Sequence, residues 1–515
     1  SVGHGHKMGR KPCRCKPAAS SRCGIYHCIP TCHFRRMFQT VTIPLWLFVL
    51  ILVFAGVTFA SHFLFPSVRW FLRGRMEKVV ARLNARLDRP IQPFKLMKRH
   101  DMIIRLVHDP KVAEAIAAEA AVTGEPETVV HERARRYARE IVPAFSATIY
   151  FGFAARATKW LARLIYKVRI GAFDTEALGS IDKEATVVFV MNHRSNMDYV
   201  LVTHLAASRS ALSYAVGEWA RVWPLSWLIR SAGAYFIRRK SNNPLYRRVL
   251  ARYVQMATEE GVTQAIFPEG GLSLDGRVGQ AKLGLLGYII AGYREGGRDV
   301  VFVPVSLAYD RIIEDRVLTA AHAAGVRRFR ASIGSILLFL GRQVRRVLTG
   351  RFEKFGTAAV SFGAPLSLAD FMQDPHEDVA AELAAAMMGR VARNVVVLPV
   401  PLICAAIGED TEITVGELTS RADALVGRLQ PLGVHLNLPD GSASGAVLRA
   451  LSILTLRKIV VQNGGRINVP PKDRDLIGFY GASVNQHLYA AAASETDEIR
   501  PKQTDRQPKG HKITK

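Results

Sequence analysis

The stretch ATVVFVMNHRSNMDYV, residues 185–200, joins a short apolar run to a polar segment that contains His193 and Asp198. The apolar run predicts a strand buried on both faces, because short runs rich in valine are typical of such strands. Ligands of open α/β sheets bind beyond the carboxyl ends of the strands. The polar residues directly after this strand therefore indicate an α/β fold with a site at the strand end.

Similar β-rich runs alternate with helical stretches over residues 173–365, which is the pattern of an α/β layer. Polar residues again follow the runs: Arg239 after the second, Glu269 and Gly270 after the third, and Tyr309 after the fourth. We expect these groups to converge on one crevice at an edge of the sheet. The predicted strands are 185–191, 234–237, 263–267, 299–307 and 358–363.

His193 and Asp198 form a candidate acid–base pair. Five positions on an ideal helix would splay the two side chains by about 140°, so we expect the pair to straddle a turn or a helix start. The spacing alone is weak evidence, because His435 and Asp440 repeat it with no strand exit or glycine turn around them. Context, and not spacing, therefore selects the first pair.

Composition limits the partners of the chain. Its 515 residues include 70 Lys plus Arg against 43 Asp plus Glu, a formal net charge of +27. Such an excess favours nucleic acid, an anionic membrane surface or a phosphorylated substrate. A nucleic-acid binder leaves the strand-end clusters without a role, and no nucleic-acid-binding module is recognisable. We therefore predict anionic membrane lipids and a phosphorylated substrate as partners, and no nucleic acid.

Residues 43–65 form the longest apolar run and contain no Asp, Glu, Lys or Arg. This length matches the ~20 residues that a helix needs to cross a bilayer, so we predict one transmembrane helix at 41–66. Basic residues follow it at Arg69, Arg73 and Arg75. By the positive-inside tendency, they place the downstream chain on the cytoplasmic face of the inner membrane, as a single-pass protein.

Residues 1–40 are predicted to be a basic, disordered segment. They hold Cys13, Cys15, Cys23, Cys28 and Cys32, whose spacing fits no paired zinc-binding template. Zinc binding there is a minor alternative, and we predict no metal and no cofactor. Because Met37 directly precedes the apolar run, a second hypothesis is that the natural chain starts at that residue.

Two helical regions and a tail flank the α/β layer. Helical periodicity over 67–172 and over 366–493 predicts helical N-terminal and C-terminal regions. In the first, the basic amphipathic stretch TKWLARLIYKVRI at 158–170 fits either a helix on the bilayer surface or a helix packed on a core. Residues 494–515 are polar and predicted to be disordered.

The ordered set NHRSNMD, GAYFIRR, FPEGG and FVPVSLAYD resembles the four sequence blocks of the glycerolipid acyltransferases. KLGLL after the third block and SFGAPLSL at 361–368 resemble the branch that acylates glycerol 3-phosphate and dihydroxyacetone phosphate. The resemblance implies an acyltransferase α/β domain over 173–365. It also implies direct transfer of a fatty acyl group from acyl-CoA or acyl-carrier protein to the sn-1 hydroxyl of glycerol 3-phosphate, in phospholipid biosynthesis.

The resemblance also implies roles for individual residues. His193 is the general base that takes the proton of the acceptor hydroxyl, and Asp198 orients the imidazole. Ser195 lacks the G-x-S-x-G context of a nucleophile, so no acyl-enzyme is expected. Arg239 is the leading cation for the acceptor phosphate. The further substrate-binding residues implied are Arg194, Ser195, Gly233, Phe236, Glu269, Gly270, Gly271, Arg277, Lys282 and Pro304.

One position departs from the family pattern. Leu272 stands where the family has an arginine, in EGGLS instead of E-G-x-R-S. Phosphate binding would then depend on Arg239 with help from Arg277 or Lys282, or the acceptor would differ. A 1-acylglycerol-3-phosphate acyltransferase and a catalytically silent lipid-binding scaffold therefore stay as alternatives. Tyr309, Asp310 and Glu314 in YDRIIED are open between lining the site and capping a helix.

Overall fold

The computed structural model describes residues 44–173, 175–207, 210–217, 221, 223, 225–238, 241–325, 341, 345–346, 349–350 and 353–499. The predicted basic segment 1–40, with its five cysteines, and the predicted phosphate ligand Arg239 lie outside the described residues. The chain divides into two compact units, residues 1–76 and residues 77–515. All described site residues named above belong to the second unit.

A long helix, α1 (Leu45–Asn84), occupies the described part of the segment predicted to cross the membrane. In the described chain, no helix is both long enough and apolar enough to span a bilayer. The transmembrane helix predicted at 41–66 is therefore not shown. The apolar stretch does not form a helix of its own, since α1 continues past it through sequence that carries Arg69, Arg73 and Arg75.

An eight-stranded mixed sheet forms the centre of the second unit. Its strands are β1 (Lys167–Phe173), β2 (Thr186–Met191), β3 (Ser213–Gly217), β4 (Tyr235–Ile237), β5 (Gln264–Ile266), β6 (Val300–Tyr309), β7 (Thr357–Phe362) and β8 (Leu366–Ser367). The order is β1-β7-β6-β2-β5-β3-β4, with β8 paired to β6. The pairs among β2 to β6 are parallel, and β7 runs antiparallel to β6 and parallel to β1.

Helices precede the sheet and alternate with its strands. Those before it are α2 (Pro93–Leu96), α3 (Arg99–Val107), α4 (Pro110–Thr123), α5 (Glu127–Ile141), the π-helical segment Thr148–Ala154, and α6 (Ala155–Ile165). Those between the strands are α7 (Thr175–Gly179), α8 (Asp198–Ala206), α9 (Leu225–Ser231), α10 (Pro244–Glu259), α11 (Leu283–Ile290) and α12 (Asp315–Ala323).

The C-terminal part is helical, as predicted for 366–493, but it also holds a small antiparallel sheet. Its helices are α13 (Leu368–Phe371), α14 (Val379–Arg393), α15 (Pro399–Ile407), α16 (Val415–Leu429), α17 (Ala443–Leu456) and α18 (Arg474–Ile499), with 3-10 turns at Pro439–Gly441 and Pro471–Asp473. The strands are β9 (Glu412–Thr414), β10 (Val461–Asn463) and β11 (Arg466–Asn468). The disordered tail predicted from 494 is wrong as far as Ile499, because α18 continues to that residue.

All five predicted strands are present, whereas β1, β3 and β8 were not predicted. The helical N-terminal region predicted to reach 172 ends at Ile165, since Tyr166 is extended (φ −124°, ψ 157°) and β1 begins at Lys167. The stretch 158–170 is therefore part helix and part strand. Parallel pairing with β7, which brings Val168 beside Ala358, decides the conformation of this edge strand.

The strand β2 is buried on both faces, as its apolar run predicted. Val187 and Met191 belong to the cluster that includes Leu201 of α8. Val188 packs in the opposite cluster, with Val249 of α10. Tight packing on both sides fixes the strand, and hence the position of the chain that leaves its carboxyl end.

Candidate active site

The segment after β2 is held in place by Asn192. Its side-chain amide donates to the carbonyl of Leu307 at 3.0 Å and accepts from the N–H of Leu307 at 2.8 Å, so it is locked to the neighbouring strand β6. His193 follows in a loop, and Asp198 is the first residue of α8. The prediction that the pair straddles a helix start is confirmed.

His193 and Asp198 form a buried hydrogen-bonded pair, 2 % and 0 % exposed. Nδ1 of His193 lies 2.8 Å from Oδ2 of Asp198. The same carboxylate oxygen accepts the backbone N–H groups of Arg194 at 2.7 Å and Ser195 at 3.0 Å. Because a carboxylate only accepts, Nδ1 is the donor in this bond, and Nε2 is the ring nitrogen that the bond leaves available.

Tyr309, at the end of β6, completes the contacts of this carboxylate. Its hydroxyl donates to Oδ1 of Asp198, the oxygen that the imidazole does not use. Burial raises the pKa of Tyr309 well above its usual value, with the charge of Asp198 adding to the effect. The phenol therefore stays protonated and serves as a donor.

Glu269 supports His193 through the backbone. Its Oε1 accepts the N–H of His193 at 3.0 Å, and the N–H of Gly279 also bonds to this carboxylate. The N–H of Ser273 donates to the carbonyl of His193 at 2.8 Å. Burial raises the pKa of Glu269 to about 7, against the opposing effect of these hydrogen bonds. The third sequence block thus holds the backbone of His193 on both sides.

Glu314 fixes the loop between His193 and Asp198 through hydrogen bonds. Its carboxylate accepts from the hydroxyl of Ser195 at 2.8 Å and from the side-chain amide of Asn196 at 2.9 Å. The hydroxyl of Ser195 also accepts the N–H of Met197 at 3.1 Å. Ser195 therefore positions the loop, and no contact with His193 activates it as a nucleophile among the described residues.

Of the three polar residues that the sequence left open, Asp310 caps a helix. One carboxylate oxygen accepts the N–H of Val400, near the start of α15, at 3.0 Å, and the other accepts the N–H of Thr357 at 2.7 Å. Tyr309 and Glu314, in contrast, contact the loop that holds the buried pair.

A cavity of about 380 Å³ adjoins the imidazole of His193. The ring of Phe267 lies 4.3 Å from that of His193 and the ring of Tyr199 lies 5.5 Å away, between centroids. Both aromatic residues line the cavity, whereas the imidazole itself is almost fully covered. The polar wall of the cavity includes Arg238, Tyr246, Arg247, Lys282 and Tyr288. Its apolar wall includes Ile237, Leu250 and Leu285.

The helix α10 carries the cations on one side of this cavity. It begins at Pro244, and the preceding Asn243 caps it by accepting the N–H of Tyr246 at 2.7 Å. Arg247, in the first turn, donates to the carbonyl of Ser241 and to the side-chain oxygen of Asn242, both at 2.9 Å. Its guanidinium is therefore anchored at the cavity mouth.

Two family models match parts of the chain. Residues 174–308 match the Acyltransferase family, and residues 341–492 match the glycerol-3-phosphate acyltransferase C-terminal region. The chain is related to the glycerol-3-phosphate acyltransferases. The match to the Acyltransferase family begins directly after β1 and includes His193, Glu269 and Pro304.

Curated relatives support the same family. The glycerol-3-phosphate acyltransferase of Ectopseudomonas mendocina (strain ymp) is 28 % identical over 77 % of this chain and 49 % of its own length. That of Pseudomonas fluorescens (strain SBW25) is 27 % identical over 81 % of this chain and 52 % of its own length. The chain thus spans about half the length of the curated relatives that it matches.

Among solved structures, the chain is similar to the 1-acyl-sn-glycerophosphate acyltransferase of Thermotoga maritima. The identity is 19 %, over 57 % of this chain and 95 % of that one. The TM-score of 0.30 is too low to carry over any feature of that fold.

In the acyltransferase domain, only some of the predicted substrate-binding residues reach the cavity. Gly270 and Lys282 line it. Gly270 has a left-handed φ of +66°, and a Cβ there would lie 3.0 Å from Cδ of Lys282, so glycine allows the close approach of the two. Arg239 lies outside the described residues.

Other predicted residues support the fold around the site. The guanidinium of Arg194 donates to the carbonyl of Gly276 and lies 5.3 Å from the ring of Phe479 in α18. That of Arg277 lies 5.6 Å from the ring of Tyr489 on the outer surface. Phe236 is fully buried in β4.

Three positions of the acyltransferase domain are fixed by backbone or core packing. Pro304 pairs with Val190 inside the sheet. Gly233 has a φ of +90°, and a Cβ there would lie 2.9 Å from the ring of Phe145. Leu272, at the position of the expected arginine, is partly buried against the main hydrophobic cluster. An apolar side chain thus suits the position that this residue occupies.

Sequence reasoning missed Tyr199, Phe267 and Arg247 as site residues. Tyr199 directly follows Asp198, and Phe267 is the first residue of the FPEGG block, so their place in or beside the motifs was a usable signal. Arg247 sits in a helix beside Arg248, and nothing in that pattern separates a cavity residue from a solvated one. Within the described chain, no group of three or more His, Cys, Asp or Glu side chains is arranged to hold a metal ion.

Proposed function

We propose that the protein is a membrane-bound glycerol-3-phosphate O-acyltransferase. It transfers a fatty acyl group from an acyl thioester to the sn-1 hydroxyl of glycerol 3-phosphate and gives 1-acylglycerol 3-phosphate. The observation that carries the proposal is the buried pair of His193 and Asp198, joined at 2.8 Å, beside a cavity with cationic side chains. The family of the curated relatives supports the acyl-transfer chemistry.

The proposed reaction needs one base and no covalent enzyme intermediate. The acceptor hydroxyl gives its proton to Nε2 of His193 as its oxygen attacks the thioester carbonyl. Asp198 stabilises the imidazolium that forms, because its carboxylate is fixed by Arg194, Ser195 and Tyr309. Collapse of the tetrahedral intermediate breaks the carbon–sulfur bond, and the departing thiolate takes the proton from His193. The ester and the thiol are the products.

The acceptor phosphate requires fixed cations, and the cavity wall supplies candidates. Lys282 and Arg247 line the cavity. Arg238 also lines it, but two of its nitrogens already bind the carboxylate of Glu140, at 2.8 and 2.7 Å. We assign phosphate binding to Lys282 and Arg247, together with Arg239 by resemblance.

Membrane attachment is supported by the first helix. The large apolar side chains of α1 between Leu45 and Phe59 are exposed, and a contiguous exposed apolar surface favours a lipid or protein partner. The net charge of +27 favours an anionic lipid surface. We propose the cytoplasmic face of the inner membrane as the location, with acyl-CoA or acyl-carrier protein as the donor.

The proposal is tested by acyl transfer from labelled long-chain acyl-CoA to glycerol 3-phosphate. We expect activity in the wild type and a loss of about a thousandfold or more in His193→Ala, in which the base is removed. His435→Ala is the matched control, because His435 has the same spacing to an aspartate and is not among the residues that line the cavity. Its activity should equal that of the wild type.

Other outcomes of this assay decide between the alternatives. Equal activity of His193→Ala and the wild type would remove the base from the mechanism. A clear preference for 1-acylglycerol 3-phosphate in a competition between the two acceptors would replace glycerol 3-phosphate as substrate. A folded wild type without activity on either acceptor, with either donor, would favour the lipid-binding scaffold.

A further inference from the structure

A second cavity, of about 320 Å³, lies outside the site described above. The end of β6, the segment before β7 and the helix α17 form its walls. Among the described residues that line it, Arg311, Lys354, Arg449 and Arg457 are basic, and Glu353 alone is acidic. The apolar part of the wall includes Phe355 and Leu456. A concave surface with four cations and one anion is suited to an anionic ligand.

Arg311 packs against an aromatic ring and has an unsatisfied hydrogen-bond donor. Its guanidinium carbon lies 3.7 Å from the centroid of the Phe355 ring, so the two planes form a close cation–π contact. Its Nε is buried and has no hydrogen-bond partner among the described residues. Burial lowers the pKa of Arg311, and the charge of Arg457 lowers it further. A rigid guanidinium with an unsatisfied donor, next to a second cation, favours the approach of an oxyanion.

The other cations of the cavity differ in whether a carboxylate pairs with them. Arg457 is paired with the carboxylate of Asp315 at 2.5 Å and contacts the hydroxyl of Tyr480 at 3.3 Å. Arg449 and Lys354 have no ion-pair partner among the described residues. Glu353 cannot balance Arg311, Arg449 and Lys354 together, so this wall keeps a surplus of positive charge. Like charges held together repel, and a bound dianion would relieve that cost.

The cavity is close to the catalytic pair along the chain. Arg311 follows Tyr309, which binds Asp198, by two residues, a span of at most ~7 Å. The hydroxyl of Tyr166 donates to the carbonyl of Arg311 at 2.8 Å and fixes its backbone. A ligand in this cavity therefore lies on the same edge of the sheet as the base.

We infer that this cavity binds a phosphate ester, with Arg311, Arg449 and Lys354 as its cationic ligands. The chemistry is common to the phosphates of coenzyme A and to the headgroup of an anionic phospholipid. Phe355 and Leu456 offer an apolar surface to whatever the phosphate is attached to. The site is separate from the one assigned to the acceptor, and it does not require His193.

Two binding experiments distinguish coenzyme A from an anionic phospholipid as the source of the phosphate. In the first, coenzyme A is titrated calorimetrically into the full chain in neutral detergent. In the second, the chain is floated with vesicles of phosphatidylglycerol and phosphatidylcholine, against vesicles of phosphatidylcholine alone. We expect Arg449→Gln and Lys354→Gln each to weaken binding about tenfold in one arm or in both, since each removes a charge-assisted contact. The arm that changes identifies the source.

Arg428→Gln is the matched control, because Arg428 is an exposed arginine of α16 that does not line the cavity. Binding that is unchanged in both arms for Arg449→Gln and Lys354→Gln would overturn the inference. An equal loss in Arg428→Gln would also overturn it, since the effect would then be one of net charge. His193→Ala should bind as the wild type does. A wild type that binds in these experiments but transfers no acyl group would count only against the proposed function.

Discussion

Tyr309 and Asp198, which are 111 residues apart, are joined by a hydrogen bond at the core of the candidate active site. Asp198 uses one oxygen for His193 and two backbone N–H groups, and the other for the phenol of Tyr309. The carboxylate therefore has both oxygens satisfied although it is fully buried. Such a carboxylate holds the imidazole in one orientation.

We expect Tyr309→Phe to lower kcat about tenfold and to leave the KM for both substrates nearly unchanged. The loss of the donor leaves one buried oxygen of Asp198 unpaired, which also costs about 1–3 kcal/mol of stability. Steady-state kinetics and urea unfolding measure the two effects. Tyr166→Phe is the control, since its hydroxyl donates to the carbonyl of Arg311, its one hydrogen bond among the described residues, and its loss should affect stability but not kcat. Equal kcat values for Tyr309→Phe and Tyr166→Phe would contradict a positioning role.

Glu269 predicts a pH dependence of stability. Its pKa is raised to about 7 in the folded chain, above the ordinary value of 4.5, so between these values the folded state binds more protons than the unfolded state. Stability from this group is therefore full at low pH and is lost as the pH rises towards about 7. Glu269→Gln cannot titrate, so its free energy of unfolding relative to the wild type should rise over this window, by about 3 kcal/mol at most.

Urea unfolding at pH steps from about 5 to 8 measures this difference between the two proteins. The comparison cancels the titration of all other groups, because only residue 269 changes. A difference that stays constant across the window would show that Glu269 does not titrate there. The backbone contact with His193 survives in the variant, since the amide oxygen of Gln can still accept that N–H.

Phe267 covers His193 on the side of the cavity. We expect Phe267→Ala to raise the rate at which diethyl pyrocarbonate modifies His193 severalfold, measured by peptide mapping, because the imidazole is only 2 % exposed while the phenyl ring is in place. Tyr288→Ala is the control, since Tyr288 lines the same cavity and makes no ring contact with His193 among the described residues. Equal rates in Phe267→Ala and the wild type would show that another group covers the imidazole.

Lys282 and Arg247 are expected to act on the acceptor and not on the donor. Each change to glutamine should raise the KM for glycerol 3-phosphate about tenfold, since one charge-assisted contact is lost, and should leave the KM for the acyl donor unaltered. Arg248→Gln serves as the control, because it removes the neighbouring charge of α10 from a position outside the cavity. The same increase in Arg248→Gln would point to a general effect of charge on the acceptor.

The central strands were predictable because burial on both faces leaves a continuous apolar run, as in β2. The edge strand β1 was not, since its half-exposed side chains include Lys167 and Arg169 and imitate an amphipathic helix. Only the pairing with β7, almost two hundred residues downstream, selects the strand, and this pairing is a tertiary effect that local pattern does not contain.

In the candidate site, too, some residues were predictable from local sequence and others depend on tertiary contacts. The sequence blocks supplied His193, Asp198 and Glu269, because each block follows a predicted strand and the parallel strands β2 and β5 end at the same edge of the sheet. The contacts of Tyr309 and Glu314 with that loop depend on β6 lying beside β2, which is a property of the strand order. The long side chain of Arg194 could have pointed towards the substrate or towards the core. Packing against Phe479 of α18 decides its direction.

The contacts of Arg194 connect helix α18 to the loop that holds His193 and Asp198. Its guanidinium binds the carbonyl of Gly276, and a Cβ at Gly276 would lie 1.8 Å from the carbonyl oxygen of Phe479, so this turn is pressed against the backbone of α18. Proteolytic or engineered truncation ahead of residue 474 would remove that support. We expect this truncation to displace the imidazole of His193 while the central sheet stays folded.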